Sequence, residues 1–342
     1  MNTVSMPFVA SPGQPAAERF QHHHAAHCES GVMSNLLRHH GLAISESMAF
    51  GLSSALSFAY LPFIKIGGLP LVAYRMPPRS IIKGLFKPLA SRFKFETFGR
   101  PDAGQSRLDE LLARGEVVGL QTSVYWLPYF PPDMRFHFNA HNLLVYGKDG
   151  DDYLISDPVF EEPVRCPSAD LARARFARGM LAPKGLIYYP ERIGATSVSA
   201  PAIRAAIKKT CRIMLGPVPI AGVRGMRLLA NKVARLPATD PTSTAFVGHL
   251  VRMQEEIGTG GAGFRFLYAA FLQEGADITG DKRLAELADQ LNTIGDGWRK
   301  FALVSARMVK GREALDPPRI AQLLRGQADQ EQAFFGALKS CV

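Results

Sequence analysis

The spacing of apolar residues changes character once along this chain, and that change constrains the fold more than any other feature. From about residue 196 onward the apolar segments recur at helical spacing, over 203–215, 223–235, 244–257, 264–275, 282–310 and 319–338. The fifth is expected to bend or break near Gly295 and Gly297. Earlier in the chain the pattern is mixed. A helix is expected over 28–40, stopped by Gly41, and a second opens at Ser45 and runs toward residue 56. Short β-like runs follow at 69–75, 93–97, 117–124, 142–146, 153–155 and 186–189, with a helix over 106–113 before the third. Helices followed mainly by sheet describe an α+β domain. The 342 residues are therefore read as a polar, Pro/Gly/Ala-rich flexible arm (1–18), an α+β domain (19–195) and an all-helical domain (196–342), joined through the small residues of 194–201.

Composition narrows the function classes. No apolar run reaches the roughly 20 residues that span a bilayer, and the N-terminus lacks a basic start followed by an apolar stretch, so neither a transmembrane segment nor a secretory signal is expected. Cys28, Cys166, Cys211 and Cys341 are scattered, with no CxxC pair and no metal-ligand spacing. This suits a reducing compartment, so a cytoplasmic protein without metal or cofactor is expected. Net charge is +10, of which +3 lies in residues 1–195 and +7 in 196–342. Between Glu191 and Asp240 there is no carboxylate, while Lys208, Arg212 and six further cations between 204 and 235 lie there. A solvated helix face accounts for such a run, and so does a surface for an acidic partner. No interleaved aromatics or nucleic-acid-binding signature accompany it, so nucleic acid is not expected.

Cys28 falls at the start of the first expected helix, where unpaired amides and the positive end of the dipole favour a thiolate. The segment from His141 to Asp157 carries two β-like runs around Lys148-Asp149-Gly150. A three-residue loop with glycine last would set His141 directly across from Asp157 on one face of the hairpin; a two-residue loop would shift the register by one and part them. A cysteine at a helix N-terminus, with histidine and carboxylate on a later hairpin, is the arrangement of papain-like enzymes. There the thiolate attacks an acyl carbon, the histidine moves the proton and the carboxylate orients the histidine. Glu46 is a candidate ligand for a substrate amine and equally a first-turn carboxylate. Tyr125 and Tyr129 are candidates for an acyl pocket or for core, and His137, after Pro131-Pro132, for a pocket wall.

These residues resemble a known family. His27-Cys28-Glu29-Ser30, Leu36-Leu37, Gly41, Ser45-Glu46, Phe50-Gly51-Leu52 and Phe58-Ala59-Tyr60 are similar to the N-terminal signature of the butirosin biosynthesis protein H family. Tyr125 to Tyr129, His141 and Ser156-Asp157-Pro158 continue the likeness, as do Gly258-Thr259-Gly260-Gly261, Phe264-Arg265 and Tyr268 in the helical half. The resemblance implies a papain-like acyltransferase that takes an acyl group from an acyl carrier protein thioester to an amine or hydroxyl of a small acceptor. The acid-free stretch with Lys208 and Arg212 is then the expected carrier-docking surface. Papain-like peptidases place a glutamine six residues before the cysteine; here that position is His22, and Gln21 lies seven before. The backbone amide of Cys28 is therefore the expected oxyanion donor. A papain- or C39-like thiol peptidase, amidase or thioesterase would use the same residues with water as acceptor, and a non-catalytic binding module would keep only the fold. Gly258-x-Gly260-x-x-Gly263 matches the dinucleotide fingerprint by letter but follows a helical segment rather than a strand.

Overall fold

The computed structural model describes residues 16–257 and 260–342. Its elements are α1 (Ala16–Arg19), α2 (Cys28–His39), α3 (Glu46–Leu52), β1 (Leu56–Ile66), β2 (Leu69–Arg75), α4 (Ser80–Gly84), β3 (Arg92–Glu96), α5 (Pro101–Ala113), β4 (Val118–Thr122), β5 (His141–Asp149), β6 (Asp152–Ser156), β7 (Val164–Pro167), α6 (Ser168–Arg175) and β8 (Ile187–Arg192). Six helices follow: α7 (Ala200–Leu215), α8 (Gly222–Ala234), α9 (Pro241–Glu255), α10 (Arg265–Thr279), α11 (Lys282–Val309) and α12 (Pro317–Lys339). The fold is α+β with a helical C-terminal region. Of the expected flexible arm, residues 1–15 lie outside the described residues; the remainder enters α1, whose Ala17 packs on β5 at Gly147.

The chain divides into two compact units, residues 1–49 with 85–197 and residues 50–84 with 198–342. Residues 50–84, read from the sequence as part of the α+β domain, thus cluster with the helices. The reason is pairing. The first unit holds a six-stranded antiparallel sheet in the order β3-β8-β4-β5-β6-β7, whereas β1 and β2 form a separate two-stranded ladder. That ladder has no strand neighbour in the larger sheet; its buried Phe58 stacks with Trp298 of α11, and its buried Tyr74 meets the same ring edge-on.

In the first unit, alternate residues of the sheet build one core. Val118 and Leu120 of β4, Leu143 and Val145 of β5, Tyr153 and Ile155 of β6 and Ile187 of β8 meet Leu108 and Leu111 of α5 and Leu171 of α6. The β5–β6 turn differs from the expected one. Asp149 pairs with Asp152, which leaves a two-residue loop of Gly150 and Asp151, with Gly150 in the left-handed region (φ 59°). Such a loop alone would send His141 and Asp157 to opposite faces. A bulge at Tyr146, between the Val145–Ile155 and Gly147–Leu154 pairs, adds one residue to β5 and restores the parity. His141 therefore shares a face with Leu143, and Asp157 with Ile155, as diagonal rather than direct neighbours.

In the second unit α11 runs unbroken for 28 residues, against the expected interruption. Its glycines admit neighbours instead. A Cβ at Gly295 would lie 2.6 Å from the Phe266 ring, and one at Gly297 would lie 2.1 Å from the Gln327 amide. At the centre of this unit Arg265 donates from Nε and Nη2 to Glu331 at 2.8 and 2.9 Å, and Trp298 Nε1 donates to the same carboxylate at 2.6 Å. Both ions are wholly buried, and bidentate pairing offsets their desolvation. Among the described residues no helix is long and apolar enough to cross a membrane.

Candidate active site

The site grows from the N-terminus of α2. His27, in extended conformation (φ −135°), caps the helix, its Nδ1 accepting from the Ser30 N–H at 3.3 Å. Cys28 is the first helical residue and is 6% exposed. The first amides of a helix have no intrahelical partner and carry the positive end of its dipole, so the thiol sits where negative charge is favoured. Glu46, at the start of α3, secures this end from outside. Its Oε2 accepts from the Ala26 N–H at 2.9 Å, and its Oε1 accepts from the His27 N–H at 2.8 Å and the Ser30 hydroxyl at 3.0 Å. Burial, opposed by these hydrogen bonds, leaves the Glu46 carboxyl raised. With both oxygens engaged, Glu46 belongs to the framework of the loop before Cys28.

Two contacts bring α2 to the end of β6. The Ala25 N–H donates to the Pro158 carbonyl at 2.6 Å. Gly31, one turn into α2, lets the helix approach so closely that a Cβ there would lie 2.6 Å from Ala25 Cβ and 2.7 Å from Pro158 Cβ. Asp157, the neighbour of Pro158, is wholly buried, and His141 is 5% exposed. His141 Nε2 and Asp157 Oδ2 are 2.6 Å apart. Cys28 lies beside the imidazole, and its sulfur favours the charged ring. Burial alone pulls the imidazolium down, but the charge and hydrogen bond of Asp157, joined by Cys28, outweigh it and raise His141 to about 10. The second oxygen of Asp157 accepts from the Val159 N–H at 3.4 Å.

The structure thus gathers Cys28, His141 and Asp157. Of the three sequence-predicted pocket residues, Tyr129 turns inward and donates its hydroxyl to Asp157 Oδ2 at 2.9 Å. Tyr125 and His137 instead stack on each other at the surface, with ring centroids 4.1 Å apart and both exposed. Both ring nitrogens of His22 are engaged elsewhere: its Nδ1 bonds the Ser156 hydroxyl at 2.7 Å and its Nε2 the Phe160 carbonyl at 3.0 Å. Lys208 and Arg212 lie exposed on α7. The remaining thiols differ from Cys28 in setting. Burial pushes Cys166 and Cys211 up to about 12, and Cys341 lies in the last residues of the chain. Sequence reasoning missed Gly31 and Phe130, whose ring meets His141 edge-on at 5.4 Å. The one available signal was Gly31 itself, a poor helix former in the first turn of an expected helix.

Residues 27–158 match the family described as butirosin biosynthesis protein H, N-terminal, and residues 169–338 match a domain of unknown function (DUF4872). None of the curated proteins matches the chain significantly. Among solved structures, one described as a C39-like peptidase from Bacillus anthracis is 15% identical. The match covers 49% of this chain and 90% of that one with a TM-score of 0.34, a superposition too loose to add to the geometry above. The cysteine at a helix N-terminus and the buried histidine–aspartate pair both lie within residues 27–158, the span that matches the butirosin biosynthesis protein H N-terminal family.

Proposed function

We propose that the protein is a cysteine-dependent acyltransferase that moves an acyl group from an acyl carrier protein thioester, through an acyl-Cys28 intermediate, to an amine or hydroxyl of a small acceptor. The observation that carries this reading is the buried His141–Asp157 pair at 2.6 Å, with Cys28 beside the same imidazole at the start of α2. With Nε2 committed to Asp157, Nδ1 is the nitrogen that takes the thiol proton. The thiolate attacks the thioester carbonyl carbon; the C–S bond to the carrier breaks, and the carrier thiol leaves with the proton from His141. The acceptor then attacks the Cys28 thioester, His141 takes its proton, and the Cys28 sulfur leaves. The first-turn amide of Cys28 serves the oxyanion. Tyr125 and His137 form an exposed aromatic surface on which the acyl or acceptor group rests, and Lys208 and Arg212 receive the acidic carrier.

The test is acylation followed by intact-protein mass spectrometry. A carrier-bound donor adds the acyl mass to Cys28 in the parent and not in Cys28→Ser. His141→Ala loses about 10²–10⁴-fold in acylation rate, whereas Asp157→Asn keeps residual activity. Reversing Lys208 and Arg212 to Glu slows acylation by the carrier-bound donor at low salt and spares a small thioester mimic, which needs no docking surface. A parent protein that never acquires the acyl mass defeats the reading. An acyl-enzyme that is discharged only by water would make the protein a thioesterase.

A further inference from the structure

The segment between β4 and β5 places two consecutive aromatic side chains on the His141–Asp157 pair. The Tyr129 hydroxyl donates to Asp157 Oδ2 at 2.9 Å, the same oxygen that lies 2.6 Å from His141 Nε2. Phe130 presents its ring at 86° to the imidazole, 5.4 Å between centroids. Phe160 meets both rings edge-on, at 80° and 84°. The backbone around Tyr129 is pinned as well. Arg135 Nε donates to the Phe130 carbonyl at 2.7 Å, and Nη2 donates to the Pro128 carbonyl. One guanidinium therefore grips the chain on both sides of Tyr129. A hydroxyl carried into an apolar core must find an acceptor. Here the acceptor is the carboxylate oxygen that already holds the histidine.

We infer that Tyr129 is a positioning residue for the transfer reaction, acting through Asp157 on His141, and that Arg135 is the strut that fixes it. The inference rests on the reading of Cys28 and His141 as nucleophile and base. With Oδ2 accepting from Tyr129 and His141, and Oδ1 from the Val159 N–H at 3.4 Å, Asp157 cannot rotate without losing several bonds. The imidazole is then held with Nε2 on the carboxylate and Nδ1 left to Cys28. The hydroxyl also takes a share of the carboxylate charge that stabilises the imidazolium. Without it Asp157 holds the proton on His141 more firmly, so the imidazolium survives to higher pH. The titratable groups facing His141 are Asp157 and Cys28, and those facing Tyr129 are Asp157 and Cys166 of β7.

Tyr129→Phe removes the hydroxyl and keeps the ring. Iodoacetamide labelling of Cys28 across pH is the first measurement. The rate should fall about ten- to a hundredfold, the effect of losing a hydrogen bond to a charged acceptor, and the basic limb of the profile should move to higher pH. Arg135→Met should lower the rate in the same direction by a smaller factor. The second measurement is the downfield proton resonance of His141 Nε2–H, which should shift in Tyr129→Phe and persist in Cys28→Ser. A Tyr129→Phe protein with the parent's basic limb and an unmoved downfield proton overturns the inference, even if its rate has dropped, because packing alone would produce that drop. Should Cys28 of the parent label no faster than an ordinary thiol, the acyltransferase reading fails, and the resonance still decides the role of Tyr129.

Discussion

Gly31→Ala would separate the stability of α2 from the geometry it imposes on Cys28. In an exposed helix interior this substitution stabilises by about 1 kcal/mol, because glycine loses more backbone freedom on folding. At Gly31 the new methyl would stand 2.6 Å from Ala25 Cβ, 2.7 Å from Pro158 Cβ and 3.1 Å from Pro158 Cγ. Carbon atoms pack at about 3.5–4.0 Å, so α2 must retreat by about 1 Å. Neither obstacle is the end of a flexible side chain, and the two are joined by the Ala25–Pro158 hydrogen bond. Overpacking of this kind costs about 1–3 kcal/mol, which cancels or exceeds the helix-propensity gain. The reaction suffers more than the fold, since a misplacement of about 1 Å costs about 10²-fold in rate. The assay pairs a urea midpoint with the second-order rate of Cys28 alkylation, and Gly326→Ala is the control because nothing lies within 4 Å of a Cβ there. If Gly31→Ala gains stability as Gly326→Ala does and Cys28 alkylates at the parent rate, the close approach is not what sets the thiol against His141.

The His141–Asp157 pair should also appear in the pH dependence of stability. His141 is raised in the folded state, so its contribution is fully present below its unfolded value near 6.5 and is lost as pH rises toward about 10. The stability advantage of the parent over Asp157→Asn, measured by urea unfolding at a series of pH values, should shrink over that window; an advantage that grows across it would contradict the ion-pair account. In the second unit, Glu331→Gln leaves the wholly buried Arg265 without its counter-ion and should cost about 3–5 kcal/mol. The double variant Arg265→Met/Glu331→Leu should recover much of this. Equal losses in the single and double variants would show that shape, rather than charge, dominates there.

Helical periodicity was legible in the sequence because it is local. The six C-terminal helices were expected within a few residues of their observed bounds, as were β2, β3, β4, β5, β6 and β8, whereas the short β7 was not. Cys28 at a helix start was equally legible, since a break after polar residues and a following apolar stripe are written within one turn. Three features were settled only by tertiary structure. The strand β1 was missed, and residues 50–84 were assigned to the wrong unit, because pairing partners are not encoded in the spacing of a single segment. Gly295 and Gly297 looked like a helix break because propensity counts only the backbone, whereas close packing against Phe266 and Gln327 is what calls for the missing side chains. The expected pairing of His141 with Asp157 assumed a three-residue loop. The structure has a two-residue loop and a compensating bulge at Tyr146, and such a bulge is set by the whole ladder rather than by the turn residues. Sequence singled out the candidate residues, through their types and order; the meeting of Cys28, His141, Asp157 and Tyr129 in one cluster depended on chain segments more than a hundred residues apart, and only the packed fold brings those together.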